Sequence, residues 1–220
     1  MFKAVIFDMD GVLIDSVQTG LRVRQKLLRR YHVDLDEVPD PRGEGHRAAS
    51  LKTLLASVER HSGTHIDHDE FAKLSVGHMY NELQEYGASV APELVAFLEE
   101  LKKHSITCAI VSSSLRESVT NKLKILGIEQ YFSIIVTGSD VPEHKPHPEG
   151  YLFTMQKLGL KPEDCIVFED TIAGIEAGRA AGCRVIGFTQ YNPPKEPFLH
   201  VVMSVKNWGD ISYDKLLQLA

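Results

Sequence analysis

Two aspartates, Asp8 and Asp10, follow a short apolar run near the start of the chain, and Gly11 comes directly after them. Burying one carboxylate without a partner is costly, and a second carboxylate beside it adds repulsion between like charges. Residues i and i+2 of an extended chain point to the same side, so we expect both carboxylates to face one place. Such a pair needs a cation or a shared chemical task.

Further polar residues follow three later apolar runs that have the character of strands. They are Ser112, Ser113 and Ser114 after CAIV, Lys145 in EHKPHP, and Glu169 with Asp170 after CIVF. Ligands of open α/β sheets bind at the carboxyl ends of the strands, so we expect these groups to line one crevice with the aspartate pair. Acidic groups beside a lysine and a serine-rich turn suit a hard divalent cation and a phosphate.

The segments that must position these groups alternate between strand and helix patterns. Strands are predicted at residues 3–7, 107–111, 133–136, 165–168 and 184–188, with a weaker candidate at 201–205. Helices are predicted at residues 93–104, 115–126, 149–158 and 171–181. Apolar strands that alternate with helices indicate an α/β fold whose parallel sheet is covered on both faces.

Residues 17–87 interrupt this alternation. No convincing strand pattern occurs there, but helical stretches lie at residues 20–31, 47–61 and 69–86, separated by polar segments that contain glycine and proline. Such a connection is far longer than an ordinary strand-to-helix loop, so we predict an inserted helical domain. The core that contains the sheet would then comprise residues 1–16 and 88–220, and the insertion would comprise residues 17–87.

The composition excludes several classes of partner. The formal net charge is −6 and there is no block of basic residues, so nucleic acid is not expected to bind. No apolar run approaches the length that spans a membrane, and the N-terminus lacks the pattern of a secretory signal. The three cysteines have no spacing typical of metal or redox sites and are interpreted as buried thiols. We expect a cytoplasmic protein without membrane contact, either a monomer or a homodimer.

Four stretches together resemble the four sequence motifs of the haloacid dehalogenase superfamily. They are DMDGVLIDS, the serine turn after the second strand, the lysine in HKPHP, and VFEDTIAGIEAG. They occur in the family's order over nearly the whole chain, and four matches are far more specific than one. The chain is similar to the branch with a helical cap after the first motif, which includes β-phosphoglucomutase and phosphoglycolate phosphatase. This resemblance implies a doubly wound parallel sheet, a Rossmann-like core, with the cap over its active end.

The resemblance also implies a catalytic role for each matched residue. Asp8 would be the nucleophile that becomes a transient aspartyl phosphate, and Asp10 would be the acid/base that protonates the leaving alcohol and then activates water. Ser112 would donate a hydrogen bond to the transferring phosphoryl group. Lys145 would offset charge on the nucleophile and on the phosphate.

A Mg²⁺ site follows from the same resemblance. Asp170 matches the family's metal-binding carboxylate, and Asp8 with the backbone carbonyl of Asp10 would complete the protein ligands. Glu169 would be either a further ligand or a residue just outside the ligand shell. The cation would offset the repulsion between the carboxylates and an incoming phosphate. It would be the partner that the aspartate pair needs.

Four residues are candidates for binding the substrate. Arg47 in RAASL resembles the arginine of the β-phosphoglucomutase cap that touches a substrate phosphate, although an arginine that caps or solvates a helix has the same appearance. Ser113, Ser114 and Arg116 are the further candidates, in and after the serine turn.

Two departures from the mutase pattern favour hydrolysis. Gly20 stands where those mutases carry a histidine that discriminates sugar from water, and Leu115 and Arg116 stand where they carry a lysine and an asparagine. Water would therefore compete freely as the acceptor. We predict a phosphatase of a small phosphorylated metabolite, such as a sugar phosphate. The alternatives are a mutase of the β-phosphoglucomutase type and, less favoured, a phosphometabolite-binding protein without turnover.

Overall fold

The computed structural model describes residues 1–39 and 51–219, and these contain one six-stranded sheet. The strands are β1 (Ala4–Phe7), β2 (Thr107–Val111), β3 (Phe132–Val136), β4 (Cys165–Glu169), β5 (Arg184–Phe188) and β6 (Met203–Val205). Their order is β3-β2-β1-β4-β5-β6, and every adjacent pair is parallel. The chain starts in the middle, winds outward to β3, and then returns to build the other half. This confirms the doubly wound parallel sheet.

Helices connect the strands and form the insertion. They are α1 (Val17–Leu28), α2 (Leu51–Ser62), α3 (His68–Tyr86), α4 (Pro92–Lys103), α5 (Arg116–Leu126), α6 (Glu149–Leu158), α7 (Ile172–Ala180) and α8 (Tyr213–Leu217). The four helices predicted between the strands agree with α4 to α7 to within one residue at each end. In the described part of the chain, no helix has both the length and the apolar character needed to cross a bilayer.

The central strand β1 is buried on both faces, as a parallel sheet between helical layers requires. Ala4 and Ile6 belong to one buried apolar cluster. Phe7 lies in an aromatic cluster, where its ring stacks on Phe168 at a centroid distance of 5.4 Å and also contacts Trp208. Because close packing leaves β1 little freedom, the residues that follow it start from a fixed position.

The chain divides into two compact units, Met1–Asp15 with Ala88–Ala220 and Ser16–Gly87. The first unit contains the sheet and helices α4 to α8. The second contains α1, α2 and α3, whose buried residues, among them Leu27, Leu54 and Phe71, form an apolar cluster of their own. The second unit begins at Ser16, and the helical insertion was predicted to begin at residue 17. Residues 40–50, and with them Arg47, lie outside the described residues.

Candidate active site

Asp8 and Asp10 lie in the turn that follows β1. The Asp8 amide donates a hydrogen bond of 2.9 Å to the Phe168 carbonyl in β4, which ties the ends of the two strands together. Gly11 has a φ of +85°, and a Cβ atom there would lie 2.0 Å from a carboxylate oxygen of Asp170. Only glycine fits such a position, because it tolerates positive φ and leaves room for the neighbouring carboxylate.

Lys145 lies between two buried carboxylates at the centre of the site. Its Nζ donates to Asp8 Oδ1, to Glu169 Oε1 at 2.5 Å and to the Val111 carbonyl at 2.9 Å. Burial alone would lower the pKa of Lys145, but the charges of Asp8 and Glu169 outweigh burial and raise it. The lysine therefore stays positively charged at neutral pH.

The pKa of Asp8 reflects opposing influences. Burial is the largest cause and raises the pKa from its ordinary 3.8 to about 7, with added repulsion from Glu169 and Asp10. The charge of Lys145 and its hydrogen bond lower the pKa and limit the rise. A nucleophilic carboxylate must be ionised. By lowering the pKa of Asp8, Lys145 increases the fraction of Asp8 that is ionised at neutral pH.

Asp8, Glu169 and Asp170 form an acidic group able to hold a cation, with ligand oxygens that all lie within 4.8 Å of one another. Asp170 Oδ1 is buried and has no hydrogen-bond partner, whereas Oδ2 accepts a 3.0 Å hydrogen bond from Asn192 Nδ2. Burial, together with repulsion from Asp8 and Glu169, raises the pKa of Asp170 well above its usual range. A hard divalent cation prefers carboxylate oxygens and would relieve this repulsion, so the residues fit Mg²⁺.

Glu169 is fully buried, and protein groups hold its carboxylate in place. The Tyr151 hydroxyl donates to Oε1 at 2.5 Å, and the Asp170 amide donates to Oε2 at 3.2 Å. A Cβ atom at Gly174, in the first turn of α7, would lie 2.0 Å from this carboxyl group. Glu169 therefore orients Lys145 and adds its charge to the acidic group.

The serine turn lies at the carboxyl end of β2. Ser112 is buried, its amide donates to the Val136 carbonyl at 3.0 Å, and its Oγ accepts from the Ser114 amide at 3.2 Å. Ser113 is exposed. The Ser114 hydroxyl donates to Asp10 Oδ2 at 3.0 Å, which links the turn to the aspartate pair.

Arg116, predicted to bind substrate, is exposed and is paired with protein groups. Its guanidinium donates to Asp140 Oδ2 at 2.6 Å and to the Ile135 carbonyl at 3.1 Å. Burial would raise the pKa of Asp140, but the hydrogen bonds from Arg116 and Thr137 outweigh burial and lower it. Substrate binding by Arg116 stays a prediction, and it would require the guanidinium to exchange or share this partner.

Lys122, which contacts Asp10, was not predicted from the sequence. Its Nζ donates to Asp10 Oδ1 at 2.5 Å, and only 3% of its side chain is exposed. A signal was present, because Lys122 lies on the buried stripe of α5 with the helical spacing i, i+3, i+4 and i+7. The stripe comprises Val119, Lys122, Leu123 and Leu126. A lysine within such a stripe needs an anionic partner.

Tyr151 and Asn192 are two further residues of the site that were not predicted. Asn192 follows β5 at the carboxyl edge of the sheet, where the other functional residues lie, so its place along the chain was a usable signal. Tyr151 lies in α6 and donates to Glu169, and nothing in its local sequence distinguishes it from an ordinary core tyrosine.

Comparisons with known proteins identify the family of the chain. Residues 5–188 match the haloacid dehalogenase-like hydrolase family. Hexitol phosphatase A of Escherichia coli (strain K12) is 32% identical over 184 residues, which cover 84% of this chain and 82% of that protein. Phosphoglycolate phosphatase of Aquifex aeolicus (strain VF5) is 32% identical over 185 residues, which cover 83% of this chain and 82% of that protein.

A solved structure supports the same fold. The β-phosphoglucomutase of Clostridium difficile superimposes with a TM-score of 0.80 at 23% identity, covering 99% of this chain and 96% of that one. The family match extends over most of the chain, and the two phosphatases share nearly a third of their aligned residues with it. The chain therefore belongs to the haloacid dehalogenase-like hydrolase family.

Proposed function

We propose that the protein is a Mg²⁺-dependent phosphatase that hydrolyses a small phosphorylated metabolite through an aspartyl phosphate on Asp8. The observation that carries this proposal is the placement of Asp8 against the buried cation of Lys145 and beside the free oxygen of Asp170. The relatives named as hexitol and phosphoglycolate phosphatases support the class, a phosphoric monoester hydrolase. They also support a sugar phosphate or a similarly small ester as the substrate.

In the first step, a carboxylate oxygen of Asp8 attacks phosphorus while the bond from phosphorus to the leaving oxygen breaks. Asp10 gives a proton to that oxygen, so the product leaves as an alcohol. Lys145 favours the ionised form of Asp8 and faces the incoming phosphate, and Ser112 donates a hydrogen bond to the phosphoryl group. Mg²⁺ held by Asp8, Asp170 and the Asp10 carbonyl would offset the negative charge of phosphate and carboxylates.

In the second step, water releases phosphate from the enzyme. Asp10, which has lost its proton, takes one from a water molecule, and the resulting hydroxide bonds to phosphorus. The bond between phosphorus and Asp8 breaks, which restores the Asp8 carboxylate. Asp10 thus recovers its proton and is ready for the next substrate.

The helical insertion of residues 17–87 is proposed to act as a cap that selects the leaving group. Arg47 is its proposed phosphate contact. Gly20 has no side chain to favour a sugar acceptor over water, so water is the expected acceptor. This is the reason for proposing hydrolysis rather than a mutase reaction.

A panel of phosphorylated metabolites tests the proposed reaction. Hexitol phosphates, 2-phosphoglycolate and β-glucose 1-phosphate are incubated with the protein in Mg²⁺ or in chelator, and free phosphate is measured. We expect release from at least one ester in Mg²⁺ and none in chelator. Conversion of β-glucose 1-phosphate to glucose 6-phosphate without free phosphate would instead identify a mutase. Binding without turnover of any ester would support the binding protein.

Thermal unfolding provides a test of the metal site that does not depend on turnover. Between its ordinary pKa of 3.8 and its folded value of about 7, Asp8 binds more protons in the folded than in the unfolded state. Stability of the metal-free protein is therefore expected to fall as pH rises through this range, and the raised pKa of Asp170 acts in the same direction. Because Mg²⁺ competes with these protons, the Mg²⁺-induced rise in Tm is expected to be larger at about pH 7.5 than at about pH 5.5.

Asp170→Asn is the matched variant for this test. It removes one buried carboxylate of the acidic group, so we expect the metal-free variant to be at least as stable as the wild type near neutral pH and to lose most of the Mg²⁺-induced rise in Tm. An unchanged rise in this variant, or an equal rise at both pH values in the wild type, would contradict the assigned ligands.

A further inference from the structure

Lys122 is the most deeply buried lysine among the described residues. Burial costs a lysine its hydration and much of its side-chain freedom, so the charge needs a well-placed partner. That partner is Asp10, whose Oδ1 receives the Nζ at 2.5 Å across 112 positions of the chain. Lys122 has no role in the proposed transfer of the phosphoryl group to Asp8 or in its release by water.

Lys122 and Ser114 together engage both oxygens of the Asp10 carboxylate. Ser114 Oγ donates to Oδ2, and Lys122 Nζ donates to Oδ1. The first donor lies in the turn before α5 and the second lies within the helix. The turn is itself fixed, because the Ser114 amide donates to Ser112 Oγ. One donor from the turn and one from the helix, each on its own oxygen, set the plane and the direction of the carboxylate.

We propose that Lys122 is a positioning residue that aims the Asp10 carboxylate at the leaving oxygen of the substrate. The inference rests on the proposed function, in which Asp10 protonates that oxygen. Proton transfer in a transition state demands a donor within hydrogen-bond reach and well aligned, so a carboxylate that swings freely loses much of its effect. Lys122 supplies this alignment from α5 without touching the substrate.

Substrates with different leaving groups distinguish this positioning role from that of an ion pair that only stabilises the fold. An alkyl phosphate needs protonation of its leaving oxygen, whereas 4-nitrophenyl phosphate releases a stable phenolate and needs little. A loss of alignment therefore lowers kcat/KM for the alkyl ester far more than for the aryl ester. A loss of packing or of folded protein lowers both values by the same factor.

The experiment compares Lys122→Met with Lys124→Met, which changes an exposed lysine on the same helix. The substrates are 4-nitrophenyl phosphate and whichever of sorbitol 6-phosphate and 2-phosphoglycolate the wild type hydrolyses better. For Lys122→Met we expect kcat/KM to fall by about 30-fold or more with the alkyl ester and by less than about 3-fold with the aryl ester. For Lys124→Met we expect both values to stay near those of the wild type.

A double-mutant cycle adds a second readout. If Lys122 acts through Asp10, Lys122→Met should cause no further fall in kcat/KM once Asp10→Asn is present. If Lys122→Met does not fold, Ser114→Ala removes the other donor and should show the same substrate pattern with a smaller loss. Equal falls with both esters, or full additivity with Asp10→Asn, would overturn the inference. A wild type that releases phosphate from no ester of the panel above and from no 4-nitrophenyl phosphate would instead refute the proposed function.

Discussion

Replacing Asp8 with asparagine is expected to abolish phosphate release and to leave the fold in place. The amide has nearly the shape of the carboxylate but cannot attack phosphorus, so turnover should fall by about four orders of magnitude or more. The fold should survive because Lys145 keeps Glu169 as an anionic partner at 2.5 Å. The change also removes a buried carboxyl group whose pKa is raised to about 7. Phosphate release and thermal unfolding are measured on the same preparation.

Asp214→Asn is the matched control for this prediction. Asp214 is an exposed aspartate of the same compact unit, in α8, so its replacement should change neither turnover nor Tm appreciably. Turnover by Asp8→Asn within tenfold of the wild type would show that another residue is the nucleophile.

Replacing Lys145 with methionine is expected to cause the largest loss of stability. The variant leaves the buried carboxylates of Asp8 and Glu169 without the cation that lies between them. Breaking a buried ion pair by removing one partner costs about 3–5 kcal/mol, because the remaining charge is uncompensated. Unfolding by denaturant in the absence of metal, at about pH 7.5, measures the free energy of unfolding.

The pH dependence of this variant provides the control. Without Lys145 the pKa of Asp8 loses the influence that lowers it, so this carboxyl group takes up a proton more readily as the pH falls. The stability deficit of Lys145→Met should therefore shrink at about pH 5.5. Lys124→Met, at an exposed position, should stay within about 0.5 kcal/mol of the wild type at both pH values. A deficit below about 1 kcal/mol for Lys145→Met at about pH 7.5 would contradict the placement of the lysine as a buried counter-ion.

The elements of the core were predictable because each has a local signal. Strands β2 and β5 and helix α6 have the predicted bounds, since apolar runs and terminal glycines mark them in the sequence. Strand β6 is two residues shorter than predicted. This strand lies at the edge of the sheet, where it packs against fewer neighbours and needs fewer apolar residues. Its apolar sequence pattern is therefore weaker.

The partners within the site were less predictable because they depend on tertiary contacts. The aspartate pair, Lys145 and Asp170 were found from their places at strand ends. Lys122 contacts Asp10 from a position 112 residues later in the chain, and Tyr151 contacts Glu169 across 18 positions. The spacing of residues along the chain does not predict such contacts. A charged residue on an otherwise apolar helical stripe is the exception, because its burial requires a partner.

Trapping the phosphoryl group on the enzyme tests the central claim most directly. Asp10→Asn should slow attack by water more than phosphoryl transfer from 4-nitrophenyl phosphate, because the phenolate leaves without a proton donor. After rapid acid quench of this variant, mass spectrometry of its peptides is expected to find the phosphoryl group on Asp8, and to find none when Asp8→Asn is added. Release of nitrophenolate with Asp8 unmodified, or a phosphoryl group on another residue, would contradict the aspartyl phosphate mechanism.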